Sequence, residues 1–549
     1  MIERAILGWR PYGLLVLLCL GLYLPGLSGL PATDRDESRF AQASRQMIET
    51  RDLVAIRFQD EARNKKPGGI YWLQAASVSL LSDAQSTAIW PYRLPSLLGA
   101  LTAVLITFRL GSGIVGRKAA LVGAALLATS LGVVAEAHLA KTDAVLLGFV
   151  TIAQLSLGRI YFGGRGGVTA PWRFAIAFWA ALACGILVKG PVGPLAAGLT
   201  IAALAIFDRD RSWLRSLRVW QGLLLLAVIV LPWLIAISTA TQGAFIQDSL
   251  GKDFLGKLIG AQESHGAPPL YYLALLPVTF WPGALFLGAG IAWAWRQRRE
   301  PAEKFLICWI IPFWLLLELV PTKLPNYLLP IYPAMALLIG RAVIAIIDDE
   351  FASRRWLDRL SLAAWLIATL GLAGAMIFLP LRYGMGALVP GIVAAIIAVA
   401  VAVRLGMAAW RQAPPRVGEA VIAGWLVLTL AFAFVAPQLG NLWLSRGAAA
   451  LVAQYGPPKD VPVASAGYAE PSLVFMLGTQ TMFVTGERAA QHLTTARGAL
   501  ALVEERSDKD FKDGLAALGW EARQEGQISG LNYSNGRAMT LTLYSAVPR

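Results

Sequence analysis

Apolar runs long enough to cross a membrane recur along most of this chain, from about residue 11 to residue 437. Each run has about 17 to 25 residues, and roughly 20 residues in a helix cross the hydrocarbon core of a bilayer. Only 15% of the 549 residues are charged, whereas about a quarter are charged in soluble domains. The sequence therefore predicts an all-α polytopic membrane protein.

The distribution of basic residues predicts the topology. With the N-terminus in the cytoplasm, every even-numbered connection between apolar runs is rich in Arg and Lys, as the positive-inside rule requires. This agreement favours an odd number of spans, about thirteen. Their predicted bounds are 11–30, 91–110, 119–135, 143–161, 173–188, 191–207, 219–240, 270–293, 303–320, 327–346, 358–380, 387–404 and 417–437.

Two domains follow from this topology. Residues 1–437 form the transmembrane domain, with sizeable outward loops at 31–90 and 241–269, and residues 438–549 form an outward domain. In that last segment, β-rich runs at 461–465, 481–485, 499–504 and 539–544 alternate with helical patterns such as 511–518. We expect a small periplasmic α/β domain.

The net charge of +14 does not indicate a nucleic-acid-binding protein. The basic residues concentrate in short connections between apolar runs, where they set orientation and contact anionic lipid head groups. We therefore expect membrane lipids, and no nucleic acid, as partners.

Adjacent carboxylates follow the first span. Asp36 and Glu37 can hold a proton, a metal ion or an acceptor hydroxyl near the bilayer surface, as general acid–base chemistry requires. The alternative is helix capping by Asp34 or Asp36 ahead of an amphipathic helical pattern at 37–50. Spacing alone leaves both interpretations open.

Other charged residues recur at the same membrane face. Lys65 and Lys66 precede an apolar stretch at 69–81 that is too short to span, so they either neutralise a phosphate or anchor the interface. Lys141 and Asp143 lie in a hairpin that also contains Glu136 and His138. Asp143 is either a second carboxylate converging on the first or half of an ion pair.

A possible metal site lies in the second outward loop. Glu263 and His265 have side chains that bind divalent metals, zinc by preference. Two ligands two residues apart are a weak signal, and a surface histidine is the alternative. The sequence calls for no other cofactor.

A set of motifs resembles a known family. The chain is similar to the dolichyl-phosphate-mannose-protein mannosyltransferase-like superfamily, and within it to the bacterial aminoarabinose transferases that modify lipid A. The resemblance covers residues 1 to about 345. It rests on Asp36-Glu37-Ser38-Arg39-Phe40, Lys66-Pro67, Arg93-Leu94-Pro95-Ser96, Lys141-Thr142-Asp143, Lys189-Gly190-Pro191, His265-Gly266-Ala267-Pro268 and Lys323-Leu324-Pro325-Asn326-Tyr327.

The resemblance implies a GT-C glycosyltransferase fold with its active site on the periplasmic face of the bacterial inner membrane. The donor would be undecaprenyl phosphate-linked 4-amino-4-deoxy-L-arabinose and the acceptor a phosphate of lipid A, a modification that protects against polymyxin and other cationic peptides. The rival activities are another polyprenyl-phosphate-sugar transferase, such as a protein O-mannosyltransferase, and a lipid flippase. The sequence has no internal repeat of the kind common in transporters.

The resemblance also implies roles for individual residues. Asp36 matches the catalytic carboxylate of the first loop, with Glu37 beside it, and Asp143 matches a second functional carboxylate. The remaining matches concern the donor: Arg39 and Lys66 correspond to phosphate contacts, Lys323 and Tyr327 to a lid, and Lys257 to a position where relatives have arginine. Lysine keeps the positive charge there but loses bidentate phosphate recognition.

Overall fold

The structure of the protein is a computed structural model that describes residues 8–249, 251, 256, 266–384, 388–456, 458 and 460–549. The described part of residues 8–437 is mostly helical. The α-helices of seven or more residues in this part are α1 (Arg10–Tyr23), α2 (Asp36–Thr50), α3 (Gly69–Leu81), α4 (Trp90–Val115), α5 (Arg117–Ala128), α6 (Leu131–Ala137), α7 (Asp143–Gly163), α8 (Trp172–Lys189), α9 (Val192–Phe207), α10 (Val219–Ala240), α11 (Tyr271–Thr279), α12 (Leu287–Arg296), α13 (Pro301–Leu319), α14 (Tyr332–Ile347), α15 (Arg355–Tyr383), α16 (Val389–Trp410) and α17 (Val417–Leu430).

The chain is a multi-pass membrane protein, but fewer helices have the length of a span than the sequence predicts. Among the described residues, eight helices are long and apolar enough to cross a membrane, or ten if the bent pairs α5–α6 and α11–α12 each count as one. Every one of the thirteen predicted runs contains a helix. The difference comes from α1 and α9, which are short, and from α13, whose 19 residues include Glu303, Lys304 and Glu318.

The helix that begins at Asp143 lies in the middle of the bundle. In α7, 78% of the apolar span is buried by other helices. Small residues allow this close packing: a Cβ on Gly99 of α4 would lie 2.5 Å from the carbonyl oxygen of Ala144. The end of α7 that carries Asp143 is therefore held rigidly by its neighbours.

The first outward loop folds onto the bundle as α2, a two-stranded hairpin (β1, Arg57–Phe58; β2, Glu61–Ala62) and α3. Phe40, Ala43 and Met47 of α2 are buried, as the amphipathic pattern predicts. Of the two interpretations that the sequence left open for Asp36, helix capping is not the one that the structure shows. The N-cap residue is Arg35, at φ 62°, and no side chain caps the helix; Asp36 is the first helical residue.

The C-terminal segment forms an α/β domain, as predicted. Its mixed five-stranded sheet has the order β4-β3-β5-β7-β6, parallel between β3, β4 and β5 and antiparallel between β5, β7 and β6. Its elements are α18 (Leu444–Tyr455), β3 (Ala464–Ala466), α19 (Pro471–Leu477), β4 (Met482–Val484), α20 (Gly486–Thr495), β5 (Ala501–Glu504), α21 (Asp508–Ala517), β6 (Trp520–Asn532) and β7 (Arg537–Pro548).

The α/β domain docks on α2 through α19 and the turn that follows it. The guanidinium of Arg45 lies 4.5 Å from the centre of the Phe475 ring and donates to the Phe475 carbonyl oxygen at 2.8 Å. Gln42 donates to the Thr479 hydroxyl at 2.7 Å. The domain therefore covers the helix that carries Asp36.

Candidate active site

A buried ion pair fixes the start of α2. Arg93 of α4 contacts both carboxylate oxygens of Glu37, at 2.8 and 3.0 Å, and both side chains are fully buried. Glu37 also accepts from the backbone N–H groups of Thr33 and Ala140, at 2.8 Å each. The Arg93 charge and these donors together outweigh the effect of burial and hold the pKa of Glu37 below its usual value.

The structure places Glu37, which the resemblance put beside the catalytic carboxylate, inside the protein. Both of its oxygens accept hydrogen bonds, and the side chain is 1% exposed. Glu37 instead ties α2 to the hairpin before α7, because Ala140 lies three residues before Asp143. The contact joins the helix that begins at Asp36 to the hairpin that precedes Asp143.

Asp36, one residue away, is exposed. Its charge acts on Lys141: burial alone would lower the pKa of Lys141, but Glu136, Asp143 and Asp36 raise it well above its usual range. Asp36 and Asp143 are therefore both near enough to Lys141 for their charges to act on it.

Asp143 belongs to an ion pair, and its partner is Lys189 on α8 and not Lys141, the lysine two residues before it. Its Oδ1 accepts from Lys189 at 2.5 Å and from the Asn326 amide at 2.7 Å, while Lys141 pairs with Glu136 at 2.9 Å. Lys189 also lies 5.1 Å from the centre of the Tyr327 ring. Asp143 thus joins the ends of α7 and α8 to the turn before α14.

This cluster lines the end of a mainly apolar cavity, which we call the lysine cavity. Its charged lining residues are Asp143, Lys65, Lys66 and Lys189. Its apolar lining residues include Leu146, Leu195, Phe313, Leu316, Leu317, Val320 and Leu329. Such a cavity suits an anionic head group attached to a long hydrocarbon chain.

Close packing of α3 places Lys66 at this cavity. A Cβ on Gly69 would lie 2.7 Å from the carbonyl oxygen of Leu187 on α8, so only glycine permits the contact. The turn before Gly69 is consequently pressed against the end of α8. Lys66 and Lys189 then face the same space.

A second, polar cleft of about 950 Å³ adjoins the lysine cavity and shares Lys65 with it. Arg39, Arg63 and Asp60 of the first loop lie on one side of this cleft, and β4 with the residues before it on the other. Arg39 was predicted to contact the donor phosphate together with Lys66. The structure separates them, with Arg39 in the polar cleft and Lys66 in the lysine cavity.

Lys323 has a different location from the one predicted. It is 4% exposed and donates to the carbonyl oxygens of Ala267 and Val320, at 3.2 and 2.7 Å. It therefore ties two outward turns together and does not line the lysine cavity. Tyr327, its predicted companion in the donor lid, does line it.

Three predicted residues, Lys257, Glu263 and His265, lie outside the described residues. Within the described part of the chain, no three His, Cys, Asp or Glu side chains come together in a way that could hold a metal ion. Zinc binding by Glu263 and His265 stays a prediction.

Lys189 and Asn326 were not singled out as site residues from the sequence. Lysines in turns near the membrane surface often serve as interfacial anchors, and this role would by itself explain a lysine in the Lys189-Gly190-Pro191 turn. The signal that distinguishes it is Gly190, at φ 67°, which ends α8 abruptly. Asn326 lies within the predicted Lys323–Tyr327 motif, but only the fold reveals its contact with Asp143.

The chain is similar to several known proteins. Residues 31–244, which contain Asp36, Lys66, Asp143 and Lys189, match the family model described as dolichyl-phosphate-mannose-protein mannosyltransferase. Undecaprenyl phosphate-alpha-4-amino-4-deoxy-L-arabinose arabinosyl transferase 1 of Pseudomonas fluorescens is 29% identical over 343 residues, 61% of this chain and 58% of that protein. The transferase of the same type from Pseudomonas paraeruginosa is 26% identical over 427 residues, 76% of this chain and 74% of that protein.

Among solved structures, ArnT from Cupriavidus metallidurans bound to undecaprenyl phosphate matches 98% of both chains, with a TM-score of 0.75 and 19% identity. This chain has the ArnT fold. The resemblance seen in the sequence motifs is therefore confirmed, and so is the GT-C fold class. The oligosaccharyltransferase of Archaeoglobus fulgidus is more distant, with a TM-score of 0.56 and 12% identity over 90% of this chain and 69% of that one. The chain spans less than two thirds of the Pseudomonas fluorescens relative's length.

Proposed function

We propose that this protein transfers 4-amino-4-deoxy-L-arabinose from undecaprenyl phosphate to a phosphate of lipid A. The observation that carries the proposal is the lysine cavity, whose lining combines three lysines and Asp143 with a mainly apolar wall. A polyprenyl phosphate has the matching chemistry, an anionic head on a hydrocarbon chain. The named relatives and the ArnT fold support this donor.

In the proposed reaction, the bond between the sugar's anomeric carbon and the donor phosphate oxygen breaks. The polyprenyl phosphate leaves with the bonding electrons, and Lys65, Lys66 and Lys189 neutralise its charge. An oxygen of the acceptor phosphate forms the new bond to the anomeric carbon. Because that phosphate is already ionised, the step requires no strong base.

Asp36 then supplies negative charge near the sugar. We propose that Asp36 stabilises either the positive charge that develops at the sugar ring or the charge of the sugar's ammonium group. It lies one helical turn before Arg39, on the same side of α2, and Arg39 lines the adjoining polar cleft. We place the acceptor phosphate in that cleft, where Arg39 and Arg63 provide positive charge.

A transfer assay with purified protein, undecaprenyl phosphate-linked aminoarabinose and lipid A tests this function. We expect a product heavier by one aminoarabinose in the mass spectrum, and a loss of about 100-fold or more with Asp36→Asn, as when other electrostatic catalytic groups are removed. Asp513→Asn, an exposed acid in the α/β domain, is the control. Transfer of mannose from a polyprenyl phosphate to a peptide hydroxyl instead would contradict the proposal.

We further propose that the protein lies in the bacterial inner membrane with its N-terminus in the cytoplasm and the active site in the periplasm. The basic connections support this orientation. A reporter enzyme that is active only in the periplasm, fused after Arg549, should be active. An inactive reporter in a well-expressed fusion would place the site on the other face.

A further inference from the structure

A cavity lined by arginines lies at the membrane face opposite the active site. It has a volume of about 550 Å³. Its charged walls come from Arg109, Arg117, Arg159 and Arg173, and aromatic walls come from Tyr12 and Phe174. We call it the arginine cavity.

Three helices connect this cavity to the active site. Each carries one charged residue of the active-site end and, sixteen positions away, one arginine of the cavity. The pairs are Arg93 and Arg109 on α4, Asp143 and Arg159 on α7, and Lys189 and Arg173 on α8. Sixteen residues of helix cover about 24 Å, close to the thickness of the hydrocarbon core. The arginine cavity therefore lies at the depth of the head groups of the other leaflet.

The cavity contains an excess of positive charge. Within the described residues, Arg109, Arg159 and Arg173 have no carboxylate partner. Other basic residues of the same membrane face have carboxylate partners: Arg165 pairs with Asp208, and Arg341 pairs with Glu303. Arginines gathered without carboxylates repel each other, so an anion between them would stabilise the arrangement.

The backbone is shaped around one of these arginines. A Cβ on Gly113 of α4 would lie 1.5 Å from Nη1 of Arg159. Gly113 therefore leaves the space in which the Arg159 guanidinium lies against α4, and a side chain at this position would move the guanidinium. The Arg159 and Arg173 guanidinium groups both lie over the Phe174 ring, at 5.4 and 5.0 Å from its centre.

We propose that the arginine cavity binds the phosphate of an anionic phospholipid from the adjacent leaflet. Guanidinium groups pair with phosphate oxygens in a bidentate geometry. Tyr12, Leu110 and Phe174 provide apolar contacts for the lipid's glycerol and chains, which a free phosphate would not need. At about 24 Å from the active site, this lipid is a bound partner and not a substrate.

Native mass spectrometry of the full-length protein with phosphatidylglycerol tests the proposal. One basic residue near anionic lipid contributes roughly a fivefold factor in binding, so Arg159→Gln/Arg173→Gln should lower lipid retention roughly 25-fold. Arg355→Gln/Arg411→Gln removes the same charge from exposed positions of that face and should retain the lipid.

Gly113→Ala is the sharper variant because it keeps every charge. The new methyl group displaces the Arg159 guanidinium, so we expect a loss of about fivefold. Equal loss of lipid from the cavity variant and from the control variant would show diffuse attraction and overturn the proposal. Full lipid retention by Gly113→Ala with an unchanged melting temperature would overturn it as well. Displacement of the lipid by inorganic phosphate alone would assign the cavity to a free anion and would also overturn it.

Discussion

Single residues at this site look alike in the sequence and differ sharply in the structure. Asp36 and Glu37 are adjacent carboxylates, yet Asp36 is exposed and Glu37 is fully buried against Arg93. Helical geometry explains this difference, because neighbouring residues point about 100° apart around a helix. One residue can then face the substrate while the next holds the helix in place.

Glu37→Gln should lower the stability of the protein and the activity together. The change leaves the Arg93 charge buried without its partner, which costs about 3–5 kcal/mol in other buried ion pairs. Thermal unfolding of the purified protein measures the effect, with Glu61→Gln, an exposed acid of the hairpin, as the control. An unchanged melting temperature would mean that the ion pair does not hold α2.

Asp143→Asn should lower transfer strongly with a smaller effect on stability. The amide keeps an oxygen that can accept from Lys189 and Asn326, but the negative charge that orients Lys189 is lost. Transfer rates over a range of donor concentrations measure the effect, and we expect weaker donor binding as well as slower turnover. Normal kinetics would limit Asp143 to a packing role.

At the scale of elements, the sequence predicts the helical pattern of α2 but not which elements of the fold pack against it. The burial of Phe40, Ala43 and Met47 follows from their spacing. Arg45, on the same helix, is only 2% exposed, because α19 of the C-terminal domain covers it. Strand β6 was also missed, since Trp520–Asn532 is a largely polar strand at the edge of the sheet with two glycines.

Arg45→Leu should loosen the contact between α2 and α19. It removes hydrogen bonds to the carbonyl oxygens of Phe475 and Ser86 and the stacking on the Phe475 ring, while it keeps much of the side-chain volume. Hydrogen exchange should become faster in Pro471–Leu477. Arg57→Leu, at an exposed position of β1, should leave that exchange unchanged.

At the scale of the whole molecule, a titratable contact joins the two domains. Asp34 accepts a hydrogen bond from Ser472, and the Asp34 backbone N–H donates to the Tyr533 hydroxyl at 2.6 Å. Burial, with a further contribution from the Glu470 charge, raises the pKa of Asp34 to about 6. The protonated acid is therefore the form that favours docking.

Docking of the α/β domain should weaken as the pH rises through about 6. A carboxyl whose folded pKa is raised contributes stability that is present at low pH and lost above that pKa. Asp34→Asn keeps the acceptor oxygen and should remove this dependence, with higher stability than the natural protein above pH 6. Thermal unfolding of both proteins below and above pH 6 measures this dependence. If the melting temperatures of the two proteins change in parallel with pH, Asp34 is not the titrating group.

The sequence by itself determined the membrane class, the helical segments and the α/β nature of the last domain. These properties follow from local composition and periodicity, because an apolar helix must have a certain length to cross the hydrocarbon core and because strands and helices differ in the spacing of their apolar residues. Tertiary structure alone decided that Asp143 pairs with Lys189, that Glu37 pairs with Arg93, and that Arg39 and Lys66 line separate cavities. Those pairings join residues 46 and 56 positions apart, and only helix packing sets such distances.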